Sequence, residues 1–214
     1  MASNRRGGKT VNFGRYKNYA SGGKRSLQRS INYARHRPDD QHPDRADRTV
    51  FDRSSEGLSN TDVLDRFDQF AGQTSESRTT YTQSIVINPG EGRTDADLQE
   101  YTRRVMAEFE EQRAERNARV DWVAVVHRDQ SEHDHIHVYI VTDKTVSKPE
   151  ITHMQTHEGS GRAWDEVTRE AEQRRELSAT REIPVRGGRE LEEDIREKPG
   201  SSARDYYEEQ QRER

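Results

Sequence analysis

The chain has 214 residues, of which 28% are hydrophobic and 36% charged, with a net charge of −4 and no cysteine. That excludes disulfides, thiolate metal sites and cysteine nucleophiles, and it leaves apolar material for one modest core with polar extensions. No run approaches the roughly 20 apolar residues of a membrane span, and the start MASNRRGGKT lacks a leader's apolar stretch, so a cytoplasmic protein without membrane insertion is expected.

Charge is distributed unevenly. Met1 to Pro38 contains no Asp or Glu, while Arg15, Lys17, Lys24, Arg25, Arg29 and Arg35 interleave with Tyr16, Tyr19 and Tyr33. Cations alternating with aromatic rings suit a polyanion whose bases can stack; the plainer alternative is a basic arm that is merely solvated. Residues 1–25, rich in Gly, Asn, Ser and Lys/Arg, read as a basic flexible arm. SLQRSINYARH spaces Leu27, Ile31 and Ala34 as one helical face, and Pro38 stops the helix soon after. A charged loop with two prolines follows, and TVFD and GLS around Ser54–Ser55–Glu56 predict a short hairpin.

TDVLDRFDQF puts Val63, Leu64, Phe67 and Phe70 on one stripe of a second helix. YTQSIVIN, 81–88, predicts a strand halted by Asn88-Pro89-Gly90. Thr94 with Asp97 resembles a capping box for a long helix from Asp95 to about Ala118. Strands are predicted at Val120–His127 and His135–Thr142, and a helix at Ala163–Leu177. The link from His127 to His135 is too short for a helical crossover, so these strands are expected to be antiparallel neighbours. The fold class is α/β (α+β): a largely antiparallel central sheet with helices packed on one face, over residues 26–178. Residues 179–214 read as a charged tail, disordered or ordered by an accessory or coupling protein, with the pair Tyr206–Tyr207 as a contact.

The segment VAVVHRDQSEHDHIHVYIV carries the chemistry. Four of the eight histidines, His127, His133, His135 and His137, fall within eleven residues. On a strand His135 and His137 share a face, with Cα atoms about 6.6 Å apart at roughly 3.3 Å per residue. His127 ends the preceding strand on the face of Val123 and Val125, so pairing the two strands lets three imidazoles converge on one ion. Three protein ligands leave coordination positions open for a substrate. Asp129 could orient a ligand imidazole or approach the ion itself. His133 either extends the site or is a solvated loop residue. His153 and His157, in THMQTHEGSGR, read as surface or DNA-facing.

At these residues the sequence resembles the HUH endonucleases, through His135-Ile136-His137. More closely, HRDQSEHDHIHVYIV is similar to the third motif of plasmid mobilisation relaxases, in which a histidine and an aspartate two residues apart precede a His-hydrophobe-His strand; His127 and Asp129 match the first part. The resemblance covers about residues 26–145. It implies an HUH-type fold, a divalent metal (Mg²⁺ or Mn²⁺) on His127, His135 and His137, and single-stranded DNA at an origin of transfer or replication as partner. It also implies a nucleophilic tyrosine in an early Ser-rich helix. SLQRSINYARH matches, making Tyr33 and Asp129 the catalytic candidates, with Tyr16 and Tyr19 in reserve. The implied activity is nicking and rejoining of single-stranded DNA through a 5′-phosphotyrosine, for conjugative mobilisation of a plasmid or other mobile element. Three alternatives stand beside it: a rolling-circle replication initiator, a phosphoesterase using activated water, and a catalytically inactive DNA-binding relative.

Overall fold

The computed structural model of the chain describes residues 10–38, 46–74, 78–90, 96–128 and 134–181. In chain order the elements are β1 (Thr10–Phe13), β2 (Lys17–Asn18), α1 (Lys24–His36), β3 (Val50–Phe51), α2 (Asn60–Gly72), β4 (Tyr81–Asn88), α3 (Leu98–Glu115), β5 (Val120–His127), β6 (His135–Thr142), α4 (Lys148–Met154) and α5 (Arg162–Arg181). All strand pairings are antiparallel, in the order β1–β4–β6–β5–β3, with β2 also pairing against β4.

β5 and β6 organise the molecule because they are apolar on both faces. Trp122 and Ala124 on β5, with Ile136, Val138 and Ile140 on β6, face one way and pack against Leu98, Tyr101, Val105, Met106 and Phe109 of α3 and Val167 of α5. Val123, Val125, Tyr139 and Val141 face the other way, onto Leu27, Ile31 and Ala34 of α1 and Val63 and Phe67 of α2. Helices therefore cover both faces of the sheet, not one as the sequence reading expected. The unbroken runs VAVV and VYIV require this, since a strand solvated on one face alternates apolar with polar residues.

Local signals explain most boundaries. α2 begins at a reciprocal capping box between Ser59 and Asp62. α3 starts at Asp97, whose carboxylate accepts from the N–H groups of Gln99 and Glu100; Thr94, expected as the cap, lies outside the described residues. A second capping box, Ser147 with Glu150, starts α4, a helix that the sequence reading left out. The predicted hairpin near residue 50 is present as β3, where Leu58 N–H donates to the Val50 carbonyl. Part of the expected flexible arm is ordered instead: β1 is an edge strand that buries Val11, and β2 leads into a wide turn ending at Gly23. A Cβ at Gly23 would collide with the Asn18 carbonyl, so the entry to α1 requires glycine.

Chain packing closes a compact unit at Ala171; of the second unit, Glu172–Arg214, the helical residues to Arg181 are described. The tail beyond, including Tyr206 and Tyr207, lies outside the described residues. Among those described, no helix is long and apolar enough to cross a membrane.

A buried ion network ties α3 to the chain after β6. Arg113 donates to Glu150 Oε1 at 3.0 Å and to the Thr145 carbonyl at 3.2 Å, and also to Thr142; Arg116 closes on the second Glu150 oxygen. Burial pushes the Glu150 carboxyl up, but the hydroxyl and N–H of Ser147 and the charge of Arg113 outweigh this and hold it below its ordinary value. Its folded-state value thus lies below the unfolded one, so the stabilisation is complete above about pH 4.3 and fades as acid protonates the carboxylate in the folded state. Glu150→Gln, which strands the Arg113 charge, is expected to cost about 3 kcal/mol at pH 7. In urea unfolding measured against pH, the gap to wild type stays constant above about pH 5 and narrows below about pH 4.

Candidate metal centre

Register places the histidines. His127 and His135 are directly opposed at the end of the β5–β6 pair that the 128–134 link joins, and His137 opposes Val125 two residues further in. Because side chains alternate, all three rings emerge on the face that carries Val123, Val125 and Tyr139. Their centroids lie 5.0, 4.7 and 5.1 Å apart, and one nitrogen from each ring lies within 4.8 Å of the others. His127 is 1% exposed, and His135 and His137 are half-buried.

The electrostatics favour the ligating form. Burial pushes His127 down to about 3, helped by His137, Arg48, His135 and Arg37 in that order. Burial likewise pushes His137 down to about 4, with His135, Arg37 and Arg48 contributing. Both rings are therefore neutral at physiological pH, each offering a lone pair. Three imidazole nitrogens converging in a partly buried pocket, two of them on rings held neutral, fit the donor set of a divalent ion. Among the described residues no carboxylate joins the cluster. Asp129 and His133 lie outside the described residues.

The neighbours of the cluster include two residues that sequence reasoning missed. Tyr139 shares the histidine face of β6; its ring is stacked at 6.4 Å and 11° on His137, and its hydroxyl donates to the Ser30 carbonyl of α1 at 2.9 Å. Burial pushes its pKa well above that of a free phenol, so it acts here as a fixed donor. Arg48 donates to the carbonyls of Arg37 at 2.7 Å and Ala34 at 3.2 Å. It satisfies the end of α1 and, with Arg37, sets positive charge beside the imidazoles. Neither had a local signal: Tyr139 reads as core, and Arg48 as one more charge in a charged loop.

The remaining predicted residues separate into different environments. Tyr33 is 66% exposed on α1, one helical turn beyond Ser30, and its carbonyl accepts from Arg37 N–H. It lies outside the ring cluster, on the helix that Tyr139 fastens to the histidine strand. Tyr16 is exposed and packs edge-on against Tyr81. Tyr19 is instead a core residue: it is buried, and its hydroxyl is committed to Asp68 at 2.8 Å. Lys24 is paired with Asp68 and Arg35 with Asp47, and Lys17 donates to Ser26 at 2.6 Å, while Arg15, Arg25 and Arg29 are exposed. His153 and His157 are hydrogen-bonded to Glu108 and Asp165, both at 2.9 Å.

A histidine pair on one strand joined by a third from its antiparallel neighbour, facing a helix with an exposed tyrosine, defines the site. Residues 37–177 match the family model described as relaxase, MobA/VirD2-like, nuclease domain. The chain belongs to this relaxase family. The match contains the three histidines and begins four residues after Tyr33. The chain has no match among curated proteins or solved structures. Membership carries a relaxase-type DNA-nicking nuclease function, and it fits a histidine set able to hold a divalent ion.

Saturating Mn²⁺ or Zn²⁺ is expected to raise the melting temperature, equivalent to about 2.7 kcal/mol at a hundredfold excess over Kd. Titration calorimetry should give one ion per chain. His135→Ala should weaken binding by more than the roughly 10- to 100-fold that losing an outer hydrogen-bond partner costs. Unchanged affinity in that variant would remove His135 from the ligand set.

Proposed function

We propose that the chain nicks and rejoins one strand of DNA at an origin of transfer, with Tyr33 as nucleophile and His127, His135 and His137 as the metal ligands. The observation that supports this most is the convergence of three imidazoles, with His127 and His137 held neutral by burial, beside the helix that presents Tyr33. In the forward step the Tyr33 hydroxyl oxygen bonds to phosphorus as the bond from phosphorus to the 3′ oxygen breaks. The phenolic proton leaves to solvent and the departing oxygen takes one up, giving a 5′-phosphotyrosine and a free 3′-OH. The reverse step rejoins the strand without an external energy source, because the phosphodiester bond energy stays in the linkage.

A divalent ion held by the three histidines would withdraw charge from the non-bridging oxygens of the scissile phosphate. Imidazole ligands suit Mn²⁺ better than Mg²⁺ by softness, and both belong in the assay. Around that centre the chain's own groups have distinct work. Tyr139 holds the His137 ring and the Ser30 turn of α1 in one arrangement. Arg37 and Arg48 add positive charge where a phosphate must approach. Arg15, Lys17, Lys24, Arg25, Arg29 and Arg35 supply the basic surface, and Asp129 is the proposed partner of a ligand imidazole. Mobilisation of a plasmid or other mobile element is the proposed context, with the 179–214 tail as a contact for an accessory or coupling protein.

A labelled single-stranded oligonucleotide carrying the nick site, incubated with Mn²⁺ or Mg²⁺, should give a covalent protein–DNA band on a denaturing gel. That band should disappear in Tyr33→Phe and fall at least about 100-fold in rate in His137→Ala, the scale of losing an electrostatic contribution to catalysis. Cleavage without any covalent band would point to activated water instead, and a band that survives in Tyr33→Phe would move the nucleophile to another tyrosine.

A further inference from the structure

α1 climbs the histidine face of the sheet from its far end. Lys17, in the strand paired with Thr82 at the start of β4, donates to Ser26 near the helix start. Thr82 in turn opposes Val141, close to the end of β6 away from the histidines. One turn further, the Ser30 carbonyl meets Tyr139, and the helix ends at Arg37, whose charge is felt by His127 and His137. With Leu27, Ile31 and Ala34 turned inward, the outward side carries Arg25, Arg29 and Tyr33 at successive i, i+4 positions. These lie about 6 Å apart along the axis, from a rise of 1.5 Å per residue, on the scale of the spacing between phosphates of an extended strand.

Two features separate this stripe from an ordinary solvated face. Most other arginines on the sheet-and-helix body are spoken for: Arg53, Arg66, Arg78, Arg103, Arg104 and Arg116 each pair with a carboxylate. Arg25 and Arg29 are exposed and pair with none among the described residues. Arg25 also stands in the first turn of α1, where there is no acidic residue and where the helix dipole favours a carboxylate over a cation. Helix stability does not account for a cation placed there; an anionic partner does.

We propose that Arg25, Arg29 and Tyr33 form a track for single-stranded DNA. Arg25 and Arg29 take two successive backbone phosphates, and the strand is led up α1 to the Tyr33 hydroxyl, one helical turn beyond the Ser30 carbonyl that Tyr139 fastens to the histidine strand. The track rests on the nuclease reading of that cluster. It assigns separate roles within the basic segment: Lys24 and Arg35, occupied by Asp68 and Asp47, hold the helix in place, while Arg25 and Arg29 hold the substrate.

Fluorescence anisotropy with a labelled single-stranded oligonucleotide in EDTA tests the track apart from cleavage. The full chain is compared with Arg25→Gln/Arg29→Gln, with the charge-preserving Arg25→Lys/Arg29→Lys, and with Arg169→Gln on α5 of the opposite face. Each single-strand phosphate contact contributes about 0.7 to the slope of log affinity against log salt, so the double Gln variant should lose about 1.4 and bind every sequence more weakly. The Lys variant should recover most of the slope, and Arg169→Gln should match wild type. A wild-type slope in the double Gln variant, or an equal loss in Arg169→Gln, overturns the track. A slope loss in a protein that never nicks DNA keeps the track and removes the nuclease reading instead.

Discussion

Three imidazoles must come close together and still be reachable, and the end of one antiparallel strand pair satisfies both demands. Opposing His127 to His135 in register brings two rings to adjacent strand ends. The period of two in β6 adds His137 on the same face. Burial of His127 and His137 at the top of an apolar strand pair then holds both in the form that carries a lone pair. A one-residue slip between β5 and β6 would turn one strand's side chains to the other face and dissolve the cluster. The register is itself fixed by the two-sided core, because each strand fills both hydrophobic clusters.

The second constraint is the helix over that face. α1 has to bury Leu27, Ile31 and Ala34 against β5 and β6 while leaving its polar side outward. Tyr139 fixes its height along the strand through Ser30, and Arg48 satisfies carbonyls at its end. Guanidinium charge next to neutral imidazoles is costly for any proton on those rings and favourable for an incoming phosphate. The same arrangement therefore adds to the burial that keeps His127 and His137 deprotonated and favours a phosphate beside them.

The histidine strands and the long amphipathic helices were legible in the sequence because their signals are local. VAVVH and HIHVYIV are strongly strand-forming, and Leu98, Tyr101, Val105, Met106 and Phe109 hold helical spacing through α3. The two-sided packing was also written in those apolar runs, but the expectation of helices on one face overlooked it. α4 carried a readable Ser147-to-Glu150 capping signature in SKPE, hidden by the polar Gly-rich stretch that follows. β1 was lost for a different reason: a four-residue edge strand burying chiefly Val11 has no periodicity to find. Tyr139 and Arg48 could not be found locally, since their roles come from contacts with α1, 109 residues away in the case of Tyr139. Tyr19 shows the converse, an aromatic in a basic segment that the fold takes into its core.

The most direct test of the central claim is a crystal structure of the chain soaked with Zn²⁺ or Mn²⁺, with the ion located by anomalous scattering. A single peak bonded to a nitrogen of each ring of residues 127, 135 and 137, at about 2.0–2.1 Å for zinc, is the expected result. An ion bound elsewhere, or a peak held by only one of those rings, would contradict a three-imidazole centre and the chemistry built on it.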